Sequence, residues 1–133
     1  MNLNPYLNFP GTCEEAMNFY AKALGGTVEA MMPFEGSPME KHVPPEALKM
    51  IVHARISFGD RVLMGSDATP DRFKTPQGFS VSINLTDVDE AERIYKELSA
   101  GGRVDMELQQ TFWAKRFSMF VDRFGTPWMI NCE

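Results

Sequence analysis

Residues 14–28 read EEAMNFYAKALGGTV and residues 89–104 read DEAERIYKELSAGGRV. With one extra residue in the second stretch, Glu15, Ala16, Tyr20, Gly25, Gly26 and Val28 meet Glu90, Ala91, Tyr95, Gly101, Gly102 and Val104. Self-similarity at this distance marks two copies of one supersecondary unit. Both stretches are helical: Ala16, Phe19, Tyr20 and Ala23 recur at i, i+3, i+4, i+7, as do Ala91, Ile94, Tyr95 and Leu98. Thr12 with Glu15 reads as a capping box, and Thr86 with Asp89 as a weaker one. The paired glycines supply the left-handed stop.

Working outward, each helix follows a strand. LNPYLNF (3–9) sets Leu3, Pro5, Leu7 and Phe9 against Asn4, Tyr6 and Asn8. FSVSINL (79–85) sets Phe79, Val81, Ile83 and Leu85 against Ser80, Ser82 and Asn84. This period of two implies a sheet with one face on a helix and one more polar face. Three further strands follow each helix, near 27–33, 49–58 and 61–67, then 103–109, 116–122 and 126–132. The last hairpin also repeats, FGDRVLM (58–64) against FGTPWMI (124–130). The expected fold is therefore α+β: a single domain, 1–133, of two βαβββ modules at about 1–68 and 77–133. The first module carries an extra loop, PFEGSPMEKHVPPEAL (33–48), whose composition predicts an exposed, mobile segment able to act as a lid.

Composition narrows the function classes. The chain has 133 residues, 44% of them hydrophobic, enough for one main core. Its formal net charge of −5 argues against nucleic acid and anionic membranes, both of which need a basic surface. MNLNPYLNF has neither a basic n-region nor an apolar h-region, and no apolar run approaches the ~18 residues of a membrane span. Two cysteines far apart, Cys13 and Cys132, without a secretory signal, fit reduced thiols and a cytoplasmic location.

Strand parity points to a site. In the third strand His53, Arg55 and Ser57 oppose Met50, Val52, Ala54, Ile56 and Phe58. In the last, Met129, Asn131 and Glu133 oppose Trp128, Ile130 and Cys132. A solvent face usually carries Lys and Glu, whereas these polar sets carry Ser, Asn, Tyr and His. If the sheets curve, the sets converge on a concave surface suited to a small molecule.

At this point NPYLNFPGTCEEAMNFYAKALGG, ISFGDRVLMGSD and QQTFWAKRFSMFVDRFGTPWMINCE resemble the PhnB-like group of the vicinal oxygen chelate (glyoxalase/bleomycin resistance/dioxygenase) superfamily over nearly the whole chain. The resemblance implies eight strands in two curved sheets around a cavity, and a homodimer that can exchange modules. It also implies four metal-ligand positions, which fall on Asn4, on Leu63 or Met64, on Ser80 and on Met129. None is a strong donor for a divalent cation, so no metal or other cofactor is expected and the superfamily's Lewis-acid and redox chemistry is in doubt. Sequences of this group are sometimes labelled demethylubiquinone methyltransferases, but no glycine-rich strand-to-helix loop for a methyl donor is present. Three functions compete: a metal-free protein that binds a small organic molecule in a dimer cavity, an enzyme of the superfamily (lyase, dioxygenase or transferase) that uses altered ligands or a histidine base, and a mainly structural or interaction role through dimerisation.

The candidate residues divide by chemistry. His53 is a general-base or ligand candidate, since imidazole is the side chain suited to exchanging protons at physiological pH; His42 belongs to the exposed loop. Arg55 is a fork for an anion or the partner of an acid such as Glu133. Tyr6, Ser80, Ser82 and Asn84 offer donors and acceptors to a ligand. Cys13 begins a helix, where a thiolate is favoured, but no base is in view and Glu14 and Glu15 oppose the charge. Cys132 has core parity. In QTFWAKRF (110–117) Trp113 either rims the pocket, with Arg116 near an anionic ligand group, or packs into a partner subunit.

Overall fold

The computed structural model describes residues 1–133. The chain divides into two compact units, Met1–Lys74 and Thr75–Glu133. Each holds one helix and one four-stranded mixed sheet.

In the first unit, strand β1 (Tyr6–Phe9), helix α1 (Cys13–Leu24) and strands β2 (Thr27–Pro33), β3 (Ile51–Phe58) and β4 (Arg61–Asp67) build a sheet of order β1-β4-β3-β2. Only β1 and β4 run parallel. Strands β1 and β2 lie at opposite edges, so α1 must carry the chain across one face. It packs there on β2, β3 and β4. Cys13, Ala16, Met17, Tyr20, Ala21 and Ala23 are buried on that side, with Leu7, Phe9, Ala54, Ile56 and Leu63 beneath them. Full burial of a side chain the size of Ile56 contributes about 1.5–3 kcal/mol. Gly25 (φ 72°) ends the helix in the left-handed region. Gly26 passes so close to Phe58 and Ile56 that a Cβ would collide with both side chains.

The second unit repeats the plan with β5 (Val81–Leu85), α2 (Val88–Ser99), β6 (Arg103–Gln109), β7 (Arg116–Val121) and β8 (Pro127–Cys132), in order β5-β8-β7-β6. Helix α2 buries Ala91, Ile94 and Leu98 and packs on β6, β7 and β8. Tyr95 meets Phe120 edge-on, with ring centroids 6.0 Å apart. The α+β class and the two βαβββ modules, with their elements in the expected sequence along the chain, are thus as the repeat predicted. Among the predicted bounds, β2, β4 and β6 match to the residue.

Both expected helix caps are corrected. Thr12 makes no side-chain cap, and its hydroxyl is buried without a partner. The N–H groups of Gly11 and Cys13 instead donate to Asp67 Oδ1 at 3.0 and 2.9 Å, while Ile51 N–H donates to Oδ2 at 2.8 Å. A carboxylate from the end of β4 therefore replaces the local cap and ties the start of α1 to the start of β3. At α2 the cap is Asp87 rather than Thr86: its carboxylate accepts from the N–H groups of Asp89 and Glu90, as an acceptor one residue nearer the helix reaches better.

Parity also slips. Leu3 and Phe79 are 92% and 52% exposed and lie ahead of their strands, because β1 and β5 begin only at Tyr6 and Val81. In β3 the pairing jumps from Met32↔His53 to Pro33↔Ile51. Val52 is the bulged residue, so Ile51, rather than Met50 or Val52, enters the core. The extra loop is largely exposed, as expected, but it is pinned. Phe34 N–H and Glu35 N–H donate to the carbonyls of Met50 and Leu48, two short 3-10 turns form at Glu40–His42 and Pro45–Ala47, and Ala47 is 2% exposed.

Candidate functional site: the sheet face opposite each helix

Register decides which side chains share the face away from the helix. In the first unit Tyr6 pairs with Met64 and Met64 with Arg55, while Asn8 pairs with Ser66. His53 stands beside Met32, and Arg55 beside Ala30. One face therefore gathers Tyr6, Asn8, His53, Arg55, Met64 and Ser66. Tyr6 and His53 are brought together directly: Tyr6 Oη lies 3.1 Å from His53 Nδ1, and the rings stack with centroids 5.8 Å apart. With the phenol donating, the neutral imidazole carries its proton on Nε2 and offers it as a second donor.

Arg55 has a partner that strand parity did not reveal. A register shift in β2 between Val28 and Ala30 makes Glu29 an extra residue and turns its side chain to the polar face. Arg55 Nε lies 3.1 Å from Glu29 Oε2. Hydrogen bonds from Ser57 and then Arg55 hold the Glu29 carboxyl below the usual carboxylate range. Glu133, the acid suggested by the sequence, instead hydrogen-bonds Asn131 Nδ2 at 2.9 Å. The only signal for Glu29 was a charged residue breaking the alternation in TVEAMMP.

In the second unit Ser82 pairs with Met129, Asn84 with Asn131, Phe117 with Asn131 and Met119 with Met129, which sets these six on one face. Ser82 Oγ hydrogen-bonds Asn84 Oδ1 at 3.2 Å. Ser80 precedes β5 and is half-buried. Trp113 lies on this face, its ring edge-on to Phe117 with centroids 5.1 Å apart. Phe112, stacked edge-on to Trp113 in turn, is 98% exposed. Arg116 belongs to the opposite parity. It pairs with Cys132, its Nε lies 3.6 Å from Glu92 Oε1 on α2, and its Nη1 donates to the Lys115 carbonyl.

The buried cysteine at the start of α1 is no nucleophile. Burial first, then the negative charges of Asp67 and Glu14, push the Cys13 thiol up to about 12. Those terms outweigh the helix N-terminus, which favours a thiolate. Buried aspartates were the other feature absent from the sequence reading. Asp122 accepts from Phe124 N–H, Thr126 N–H and Trp128 Nε1 at 2.8, 3.0 and 2.8 Å, holding the β7–β8 turn as Asp67 holds α1.

A family model for the glyoxalase/bleomycin resistance protein/dioxygenase superfamily matches residues 2–130. The chain belongs to that superfamily. It is 34% identical to Protein YjdN of Escherichia coli (strain K12), across 98% of this chain and 95% of that protein. The crystal structure of protein PA1353 from Pseudomonas aeruginosa superposes with a TM-score of 0.92 at 46% identity, covering 100% of this chain and 98% of that one. The PhnB protein from Bacillus cereus shares the fold at a TM-score of 0.84 and 20% identity, with both chains fully covered. No helix is long and apolar enough to cross a membrane.

The superfamily's metal can be tested against the donors this chain supplies. Met64 and Met129 lie on the polar faces, Leu63 is buried toward α1, and Asn4 and Ser80 lie just ahead of β1 and β5. A set of two thioethers, an amide and a hydroxyl carries no negative charge and no imidazole. It does not fit a hard or borderline divalent cation. No group of three or more His, Cys, Asp or Glu side chains is placed to hold one elsewhere.

Proposed function

We propose that this member of the superfamily binds a small organic molecule on the polar sheet face of its first module, against Tyr6 and His53, without the superfamily's metal and as a homodimer. The observation that carries this reading is the Tyr6–His53 pair. Two rings stacked and hydrogen-bonded on a sheet face offer a flat aromatic surface and a fixed N–H donor at one place. Ser82, Asn84 and Trp113 supply the matching donors, acceptors and aromatic surface in the second module. Arg55 serves as a positioned partner for a polar ligand group through its bond to Glu29, and Arg116 braces β7 against α2. The dimer, with or without exchange of modules, rests on the superfamily's habit and on the exposed Phe112.

A second reading, an enzyme with His53 as general base, uses the other tautomer: Nδ1–H donates to Tyr6 Oη, which orients the ring and leaves Nε2 free to take a proton. Metal content and ligand binding separate the readings. Elemental analysis of the purified protein is expected to give no stoichiometric transition metal. Zinc, nickel, manganese or iron bound one per chain, and lost on His53→Ala, would overturn the metal-free reading. In a thermal-shift screen of metabolites, a binding ligand raises the Tm of the native protein and not of His53→Ala. Turnover of that ligand, abolished in His53→Ala, moves the protein to the enzyme reading.

A further inference from the structure

The first unit holds a second concavity that neither Tyr6 nor His53 lines. A cleft of about 1160 Å³ opens between the extra loop after β2 and the segment after β4. None of the four superfamily metal positions lines it either. Its apolar wall comes from Phe34, Met39, Val43, Pro44, Met50 and Val52, the last exposed to the cleft by the bulge in β3. That volume suits an organic ligand of ordinary size.

The charges at its rim do not balance as a simple count suggests. Three cationic or ionisable bases line it, His42, Arg72 and Lys74, with three carboxylates, Glu46, Asp67 and Asp71. Asp67 has both oxygens occupied by backbone N–H groups at the start of α1 and β3. Asp71 is turned into its own bend, where the Thr69 side chain and then its own backbone N–H hold its carboxyl below the usual range. None of the salt bridges in the molecule involves His42, Arg72 or Lys74. Arg72 lends its charge to the neighbouring Asp71 carboxyl, but neither it nor Lys74 closes an ion pair, so both permanent cations stand at the cleft with Glu46 as the one carboxylate not held by a backbone N–H.

We infer that this cleft is a binding site for an amphipathic organic anion, its apolar body against Phe34, Met50 and Val52 and its carboxylate or phosphate at Arg72 and Lys74. The guanidinium fork provides the directional contact and the ammonium adds charge. Glu46 weakens the site by repulsion and so limits affinity.

Calorimetric titration of the full-length protein with phenylacetate, phenyl phosphate and neutral phenylacetamide tests this. At least one anion is expected to bind about tenfold more tightly than the amide, a difference of one charge-assisted contact, and the better anion identifies the headgroup. Arg72→Gln with Lys74→Gln removes that preference, Glu46→Gln strengthens it, and His53→Ala leaves it unchanged. Equal binding of acid and amide, or no saturable binding of either anion, overturns the proposal. Anion binding lost in His53→Ala but retained in Arg72→Gln/Lys74→Gln also overturns it, and assigns the ligand to the sheet face. Failure here leaves the Tyr6–His53 reading intact, because neither ring lines the cleft, and of the polar sheet face only Asn8 reaches it.

Discussion

At the residue scale, the buried groups define the clearest expectations. Cys13 has a folded thiol pKa pushed from 9.0 up to about 12. Its neutral form is favoured in the folded state, so its contribution to stability is whole below about pH 9. It is lost as pH rises from there toward 12, because the unfolded chain then gives up a proton that the folded one keeps. Urea titrations across that window should show stability falling by up to ~1.4 kcal/mol per pH unit from this residue, with the slope reduced in Cys13→Ala. Neither cysteine should react with a thiol reagent before unfolding, since both are buried. Asp67→Ala leaves three N–H groups without their acceptor at two element starts. A loss of roughly 3 kcal/mol in denaturant unfolding is expected. None of this was visible in the chain as text. Asp67 ends β4 and Asp122 follows β7, and only the N–H groups gathered around them reveal what they hold.

At the element scale, the repeat made most of the fold legible. A helix flanked by alternating strands, twice over, gave the βαβββ units, and the first glycine pair gave the end of α1, whereas α2 stops one residue earlier, at Ala100 (φ −59°), with Gly101 just beyond it. The pairs divide their work. Gly25 and Gly101 take positive φ (72° and 77°), whereas Gly26 and Gly102 allow close approach. A Cβ on Gly26 meets the Phe58 ring and Ile56 side chain, and one on Gly102 meets the Val121 carbonyl. Gly102→Ala is therefore expected to cost more stability than Gly26→Ala, with the latter near the ~1–3 kcal/mol of ordinary overpacking, because a side chain can give way where backbone cannot. Thermal unfolding of the two variants checks the order. Parity failed where a strand carried a bulge. Periodicity assumes one residue per partner, and the insertions at Glu29 and Val52 break that assumption without any distinctive sequence mark.

At the scale of the whole molecule, the acidic balance and the exposed aromatic Phe112 bear on the partners proposed. Light scattering coupled to size exclusion should give a dimer mass for the native chain. Trp113→Ala should keep that mass while weakening ligand binding, since Trp113 packs on Phe117 within its own unit. Monomers from that variant would instead place Trp113 in the subunit interface. With a formal net charge of −5, no retention on duplex DNA is expected at physiological salt.

The sequence by itself determined the two modules, their helices and most of the apolar face of each sheet, because each follows from a spacing that repeats along the chain; its motifs carried the resemblance to the superfamily. The tertiary structure decided what spacing does not encode: that Tyr6 meets His53, that Glu29 claims Arg55, that Arg116 turns to α2, and that the extra loop walls a cleft with Arg72 and Lys74. Those pairings depend on register, bulges and loop paths, which are set by contacts between residues far apart in the chain.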